Sequence, residues 1–182
     1  HWAFSISELR DALGLSSLVF LNDFTVLALS LPGLPAADLV QVGGTEPMPG
    51  KAKALLGAGT GLGVSGLVPV PGQDLWVPLE GEGGHVTLPA FDEDEARVIG
   101  ALRTLLPDHV SAERGALSGQ GIQALYQAHC LLAGVAHANL SPADVTQHAL
   151  DGTDVECVAA LNTFCAMMGT VAADLALTLG AQ

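Results

Sequence analysis

A glycine-rich segment constrains the fold of this chain more than any other feature. The segment, GAGTGLG at 57–63, has four glycines in seven residues and lies between two apolar segments, 51–56 and 64–70. Both flanking segments have the length and residue types of strands, and Pro69 and Pro71 exclude a helix after the glycines. We therefore predict that the glycines join two strands as a hairpin.

Such a hairpin can serve as a phosphate-binding loop. Because glycine accepts crowded backbone conformations, several amide groups can face one anion, and the Thr60 hydroxyl adds a donor. A tight turn that binds nothing is the alternative, but four glycines exceed what a turn requires. The segment has neither the Gly-Lys-Ser/Thr ending of a P-loop nor the G-x-G-x-x-G spacing before a helix that is typical of dinucleotide binding.

Two polar residues, Asn22 and Asp23, follow the apolar segment 17–21, which we predict to be a buried strand. A carboxylate at the end of a strand can project into a cleft and accept a proton from a substrate hydroxyl. The alternative is a helix cap for the apolar segment 24–31, and the spacing alone favours the cap.

A second polar motif places two glycines between Glu82 and His85. Sugar hydroxyls require paired donors and acceptors, which a carboxylate and an imidazole supply. A turn that connects two strands is an equally good interpretation, and a metal site would need more ligands than these two. Glu113, in the segment VSAERG, is by itself typical of a solvated surface residue.

Strand-like segments come early in the chain and helix-like segments come late, which favours an α/β or α+β fold over a helical bundle. The predicted helices are 5–13, 24–31, 93–106, 119–133, 142–150 and one within 151–179. The predicted strands are 17–21, 39–42, 51–56, 64–70, 76–79 and 86–88, with 110–113 extended. The Gly- and Pro-rich segment 32–49 is a candidate domain boundary.

Composition argues against several classes of partner. The formal net charge of −13, from 19 acidic and 6 basic residues, disfavours nucleic acids and anionic membranes. Three cysteines without a pairing pattern indicate a reducing, cytoplasmic compartment, and we expect no signal peptide and no metal-binding residues. The segment 158–179 is long enough to span a membrane, but Asn162 and Asp174 favour a buried core helix.

Taken together, these motifs resemble the bacterial glucokinase family of the non-repressor type. The matching segments are HWAFSI (1–6), NDF (22–24), GAGTGLG (57–63), GEGGH (81–85), HVSAER (109–114), LSGQG (117–121) and LALTLG (175–180). They follow the order of the family with similar spacing, and they run the length of the chain.

The resemblance implies a ribonuclease-H-like α/β fold of the actin–hexokinase type, with two domains around a cleft. Residues 1–33 would supply the C-terminal elements of the smaller domain, including NDF. Residues 34–182 would form most of the larger domain, which binds sugar and phosphate. The family phosphorylates the 6-hydroxyl of glucose with ATP and Mg²⁺ and often dimerises, so the expected partners are glucose, ATP and a second copy.

The resemblance also implies roles for single residues. Asp23 would contact glucose as the general base that takes the proton of the 6-hydroxyl. The other sugar hydroxyls would bond to Asn22, Glu82, His85 and Glu113. The phosphates of ATP would be held by the glycine segment through Gly57, Gly59, Thr60, Gly61 and Gly63.

Two parts of the family pattern have no match in this sequence. Family members begin with an Asp-x-Gly-Gly-Thr loop that contacts phosphates and metal, and they continue past LTLG into a strand and a Gly-Gly segment near the adenosine. We therefore expect an internal fragment with little or no kinase activity of its own. The main alternative is a non-catalytic sugar-binding protein or regulator on the same fold, against which the presence of Asp23 argues. A kinase for another substrate and a dinucleotide oxidoreductase are further alternatives, and the predicted hairpin argues against the latter.

Overall fold

The computed structural model describes residues 4–44 and 48–181, so the first three residues of the HWAFSI motif lie outside it. The helices are α1 (Ile6–Ala12), α2 (Asp23–Ser30), α3 (Glu93–Leu105), α4 (Ala112–Gly115), α5 (Gly119–Ala133), α6 (Pro142–Asp151) and α7 (Val155–Leu179). The strands are β1 (Lys53–Ala58), β2 (Leu62–Pro69) and β3 (Trp76–Leu79). Short 3₁₀ turns cover Leu31–Gly33, Ala36–Asp38 and Gly83–His85.

The three strands form one antiparallel sheet in the order β1-β2-β3. Gly57 pairs with Gly63 and Ala58 pairs with Leu62, so the residues between them form the turn of a hairpin. The predicted glycine hairpin is therefore confirmed. The strands predicted at 51–56, 64–70 and 76–79 are confirmed as well, with observed bounds of 53–58, 62–69 and 76–79.

The alternation of side chains gives this sheet two different faces. On one face Leu56 and Val64 pair with each other and pack against the main core. A side chain at Gly66 on the same face would meet the last residue of α7. The opposite face is covered by α2, which reaches the hairpin through Phe24. The sheet therefore separates α2 from the main helical layer.

The main hydrophobic core lies among α3, α5, α6 and α7. Its largest fully buried side chains are Leu102, Leu117, Leu125, Cys130, Val145, Cys157 and Met167. Each large apolar side chain that leaves water stabilises a fold by roughly 1.5–3 kcal/mol, so this layer dominates the stability of the chain. The hairpin joins the same core through Leu62, which is 5% exposed.

Local signals fix both ends of the helices. Amides in the first turn donate to the side chains of Ser5, Asn22, Asp92, Ser118, Ser141 and Asp154. Gly134, Gly152 and Gly180 end α5, α6 and α7 in the left-handed conformation, with φ of 69°, 64° and 62°. Because these signals are local, the predicted helices are confirmed to within a few residues.

Two predicted strands, 17–21 and 39–42, are wrong. Both segments are irregular, and their apolar side chains face solvent, with 73% of Val19 and 88% of Val40 exposed. A strand needs a neighbour to satisfy its backbone donors and acceptors. Among the described residues only β1–β3 form a sheet, and neither segment pairs with it.

The predicted strand at 86–88 forms only a single antiparallel bridge, between Thr87 and Ser111. Ser111 also caps α4, since its hydroxyl accepts a hydrogen bond from an amide of the first turn. Glu113 is therefore helical, which corrects the prediction that 110–113 is extended throughout.

The longest helix, α7, has 25 residues and a mean hydropathy of 1.5, which would suit a membrane span. Only four of its 25 residues are buried against the rest of the protein, so the assignment as a buried core helix stays a prediction. Its other side is exposed, with 81% of Leu177 in solvent. Beyond the helix, Ala181 forms a parallel bridge with Ala52, so the chain returns to the sheet beside the start of β1.

The predicted domain boundary after residue 33 follows α2. This helix packs on β2 and β3, and its residues Thr25 and Ala28 are buried. The assignment of residues 1–33 to a smaller domain and 34–182 to a larger one stays a prediction.

Candidate functional site

The candidate site is built around the turn of the glycine hairpin. Within the turn, the amide of Gly59 donates to the carbonyl oxygen of Gly61 at 2.8 Å. The carbonyl oxygen of Gly59 accepts a hydrogen bond from the amide of Gly119, the first residue of α5, at 2.9 Å. The turn is therefore fixed against the N-terminus of α5.

Several donors of the turn are left for a ligand. Within residues 4–44 and 48–181, no acceptor pairs with the amides of Thr60 and Gly61 or with the Thr60 hydroxyl. Thr60 is exposed, and the N-terminus of α5, which carries partial positive charge, lies beside the turn. Backbone amides next to a helix N-terminus suit an anion such as phosphate.

A cavity of about 500 Å³ adjoins the turn. Its lining includes Gly59 of the hairpin, Gly119 at the start of α5, Pro142 at the start of α6 and Phe164 of α7. A concave space with apolar walls and a few polar groups is the usual form of a small-molecule site.

Glu113 connects the hairpin with the segment that carries Glu82 and His85. Its Oε2 accepts a hydrogen bond from the amide of Leu62 at 2.8 Å, and its Oε1 lies 3.9 Å from Nε2 of His85. The Ser118 hydroxyl donates to the carbonyl oxygen of Glu113 at 2.8 Å and so fixes its backbone. With 27% of its side chain exposed, Glu113 is half-buried, which corrects the interpretation as a solvated surface residue.

Two glycines make room for the Glu113 carboxylate. A side chain at Gly61 would lie 2.6 Å from Oε2 of Glu113, and one at Gly84 would lie 2.3 Å from the carbonyl oxygen of Leu62. Both distances are shorter than real contacts of a β-carbon. A side chain at Gly84 would also lie 3.3 Å from Oε2 of Glu113, so glycines of two separate motifs make room for this carboxylate.

Glu82 and His85 lie on the open side of Glu113. Nδ1 of His85 is 3.6 Å from Oε2 of Glu82, which, like the 3.9 Å to Glu113, exceeds hydrogen-bonding distance. The side chains of Glu82 and His85 are 84% and 60% exposed. The three groups therefore offer donors and acceptors to a common space that solvent can enter.

Asn22 and Asp23 lie at the start of α2. Oδ1 of Asn22 accepts hydrogen bonds from the amides of Phe24 at 2.8 Å and Thr25 at 3.4 Å, so Asn22 is a helix cap and keeps its NH₂ group for a ligand. Asp23 is exposed, and its Oδ1 accepts from the Phe24 amide at 2.9 Å. In the described part of the chain Oδ2 of Asp23 has no donor, which leaves it available as a proton acceptor.

Phe24 is the residue of this site that the sequence analysis missed. Its ring lies against Gly57 and Gly63, and a β-carbon at Gly63 would fall 2.1 Å from the ring. The sequence contains a usable signal, because glycines that pair across two strands leave a notch for a large side chain. Phe24 fills this notch and brings the start of α2 to the hairpin.

The structure thus gathers the predicted residues in two groups on one hairpin. Glu82, His85 and Glu113 meet beside its turn, whereas Asn22 and Asp23 are attached to it through Phe24. The predicted phosphate-binding residues also divide, since Gly59, Thr60 and Gly61 form the turn, and Gly57 and Gly63 are strand residues that face Phe24.

The described ranges contain no group of three or more His, Cys, Asp or Glu side chains that could hold a metal ion. A magnesium ion that enters with a nucleotide is bound largely by phosphate oxygens and water and needs few protein ligands.

Comparison with known proteins gives full coverage of the chain but only partial coverage of its relatives. A family model described as Glucokinase matches residues 1–182. The glucokinase of Nitrobacter hamburgensis is 51% identical over 181 residues, which are 100% of this chain and 55% of that protein. The glucokinase of Chromobacterium violaceum is 51% identical over 184 residues, 100% of this chain and 51% of that protein. The chain spans about half the length of the curated relatives it matches.

Solved structures agree with this match. A glucokinase from an Antarctic psychrotroph superposes with a TM-score of 0.88 at 35% identity, over 98% of this chain and 54% of that one. A glucokinase from Balamuthia mandrillaris, solved with glucose, shares the fold with a TM-score of 0.64 at 19% identity, over 80% of this chain and 40% of that one. The expected ribonuclease-H-like fold of the actin–hexokinase type is therefore confirmed. Because the family model covers every residue, this chain belongs to the glucokinase family.

Proposed function

We propose that this chain provides the sugar- and phosphate-binding part of an ATP-dependent glucokinase, which phosphorylates the 6-hydroxyl of glucose. The observation that carries the proposal is the position of Glu113. One oxygen of its carboxylate is bonded to the Leu62 amide of the glycine hairpin, and the other faces His85. A group that can bind sugar hydroxyls therefore lies beside a loop that can bind phosphate.

The sugar half of the site would use Glu82, His85 and Glu113, together with the NH₂ group of Asn22. Carboxylates accept hydrogen bonds from hydroxyls, an imidazole both donates and accepts, and an amide NH₂ donates. Because His85 lies 3.6 Å from Glu82 and 3.9 Å from Glu113, the three side chains are not hydrogen-bonded to one another. A sugar can therefore bind them without breaking an existing bond.

The phosphate half would use the turn residues Gly59, Thr60 and Gly61. Their amides and the Thr60 hydroxyl would hold the phosphates of ATP, and the nucleotide would extend into the cavity that Gly59 and Gly119 line. ATP supplies the phosphoryl group, and Mg²⁺ bound to its phosphates neutralises their charge. We assign no protein ligand to Mg²⁺.

The reaction needs a base, and we assign this role to Asp23. As the 6-oxygen of glucose bonds to the γ-phosphorus and the bond between that phosphorus and ADP breaks, the hydroxyl proton passes to Oδ2 of Asp23. Orientation of the two substrates by the two halves of the site would supply most of the remaining rate.

We further propose a cytoplasmic location and a homodimer, without nucleic-acid or membrane partners. Cys130, Cys157 and Cys165 are free thiols, which suits a reducing compartment. The net charge of −13 opposes binding to nucleic acids and anionic membranes. The dimer rests on the resemblance to the family.

Glucose binding by titration calorimetry tests the sugar half. Glu113→Gln keeps a carbonyl oxygen that can accept from the Leu62 amide, so the hairpin stays in place. The variant loses charge-assisted bonds to the sugar, and we expect glucose to bind roughly 10- to 100-fold more weakly. Glu93→Gln, an exposed residue at the start of α3, is the matched control and should bind as the unmodified chain does. Equal glucose affinities for Glu113→Gln and Glu93→Gln would contradict the assignment.

Turnover is measured in a chimera in which this chain replaces the 55% of the Nitrobacter hamburgensis glucokinase that it matches. We expect the chimera to form glucose 6-phosphate from glucose and ATP. Asp23→Asn should lower kcat roughly 10²- to 10⁴-fold, as loss of a general base does. Asp38→Asn, in an exposed 3₁₀ turn, is the control. Glucose binding without phosphorylation would instead support a non-catalytic sugar-binding protein, and absence of both would contradict either function.

A further inference from the structure

We propose that Phe24 is a positioning residue that couples Asp23 to the glycine hairpin. This inference rests on the proposed roles of Asp23 and of the hairpin turn. Phe24 follows Asp23 directly in the sequence, and its ring lies against Gly57 and Gly63. The side chain therefore links the proposed base mechanically to the proposed phosphate loop.

The ring of Phe24 fills a notch in the hairpin. Gly57 and Gly63 are direct partners across β1 and β2, so neither strand carries a side chain at this paired position of the hairpin. A β-carbon at Gly63 would lie 2.1 Å from Cδ2 and Cε2 of Phe24, and one at Gly57 would lie 3.0 Å from its Cζ. At Gly63 only glycine lets the ring approach this closely, whereas a β-carbon at Gly57 would require the ring to shift by a small amount.

Phe24 is the largest side chain by which the start of α2 contacts the hairpin, and it is partly buried. The two residues that α2 buries fully are small, with Thr25 at 2% and Ala28 at 0% exposure. The larger apolar residues Val26 and Leu27 are 50% and 46% exposed. The place of Asp23 at the first position of the helix therefore depends on how the Phe24 ring sits in the notch.

This arrangement predicts different effects on chemistry and on sugar binding. Asp23 would lose its position without Phe24, and a misplacement of about 1 Å can cost roughly 100-fold in rate. Of the proposed sugar ligands only Asn22 is attached through the ring. Glu82, His85 and Glu113 lie on other segments, and Glu113 is held by its own hydrogen bond to the Leu62 amide. A variant without the ring should therefore lose turnover far more than it loses affinity for glucose.

The first test is amide hydrogen exchange in the 182-residue chain. In Phe24→Ala we expect the amides of Thr25 and Val26 to exchange about tenfold faster, because the start of α2 has lost its anchor. Phe91→Ala is the matched control, since it removes the same ring from a side chain that is 83% exposed. Unchanged exchange in Phe24→Ala would overturn the proposal, whatever the activity of the protein.

The second test separates positioning from packing in the chimera. Phe24→Ala should lower kcat roughly 100-fold while the Kd for glucose changes much less. Phe24→Leu keeps a large apolar side chain in the notch and should recover most of the lost kcat. If Phe24→Ala does not fold, the same comparison of kcat with the Kd for glucose is made on Phe24→Leu. Equal losses in kcat and in glucose affinity, or an unchanged kcat, would overturn the proposal.

A third variant tests the notch itself. Gly63→Ala should reproduce the fall in kcat of Phe24→Ala, because a methyl group and the ring cannot share the space. The double variant Phe24→Ala with Gly63→Ala should then have a kcat no lower than either single variant. Additive losses in kcat would show that the two residues act independently and would contradict the role of their contact. If the unmodified chimera lacks turnover, the proposed function fails, and the exchange experiment alone decides whether Phe24 anchors α2.

Discussion

Gly84 is the residue at which one added methyl group should disturb the site most. The methyl group would lie 2.3 Å from the carbonyl oxygen of Leu62, a backbone atom that cannot rotate away. We expect Gly84→Ala to lower the free energy of unfolding by about 1–3 kcal/mol through overpacking, as measured by urea denaturation.

Gly81 offers a matched control three residues earlier in the same segment. Nothing lies within 4 Å of a methyl group placed there. Gly81→Ala should change the free energy of unfolding by less than about 1 kcal/mol. Similar losses of stability at Gly81 and Gly84 would show that the close approach of Gly84 to Leu62 does not matter.

Among the helices, α6 has the most complete cap, and this cap depends on pH. Asp144 accepts hydrogen bonds from the hydroxyl and the amide of Ser141, at 2.6 and 3.0 Å. These bonds, first that from the hydroxyl, hold the pKa of Asp144 below its ordinary value. Because the folded pKa is lowered, the stabilisation is present above the ordinary pKa of aspartate and is lost as the pH falls through the lowered one.

Thermal unfolding across this pH range tests the cap of α6. We expect Asp144→Asn to unfold at a lower temperature than the unmodified chain at neutral pH, and the difference in Tm to shrink in acid. Asp74→Asn, in the exposed loop between β2 and β3, removes a carboxylate without a cap and should show no such trend. A difference in Tm that stays constant with pH would contradict the role of the ionised Asp144.

The contrast between helices and strands shows what the sequence can predict. Capping residues such as Ser141 and stop residues such as Gly152 act within a few positions of the helix they define. The local sequence therefore contains the whole signal for the bounds of the helix. The apolar segments 17–21 and 39–42 carry strand composition, but a strand exists only beside a partner. Composition alone cannot reveal whether that partner is present.

The candidate site shows the same limit. The hairpin follows from its glycines and flanking strands, yet the bond from the Leu62 amide to Glu113 joins residues 51 positions apart. No spacing in the sequence predicts that bond, and only the family resemblance links Glu113 to the sugar. The contact of Phe24 with the paired glycines is also long-range. It can be recognised only from the strand register, which places Gly57 opposite Gly63.

At the scale of the whole molecule, much apolar surface is exposed within residues 4–44. Phe4 and Phe20 pack ring against ring at 4.9 Å, yet they remain 54% and 48% exposed, and Val19 is 73% exposed. Clustered exposed apolar residues favour association. We expect the chain to self-associate increasingly with concentration, as measured by sedimentation velocity.

Substitution of the cluster tests this expectation. Val19→Ser with Phe20→Ser should weaken the association. Val155→Ser with Phe91→Ser alters side chains that are 75% and 83% exposed in other parts of the chain, and it should leave the association unchanged. Equal effects of the two double variants would place the contact surface elsewhere.

The shared carboxylate of Glu113 has a thermodynamic consequence for the complete site. Because one oxygen accepts from the Leu62 amide and the other faces His85, a ligand that binds one oxygen would change how strongly the other binds its partner. If the proposed function holds, the affinities for glucose and for the nucleotide would then be linked. By reciprocity, whatever factor glucose adds to the binding of the nucleotide, the nucleotide adds to the binding of glucose.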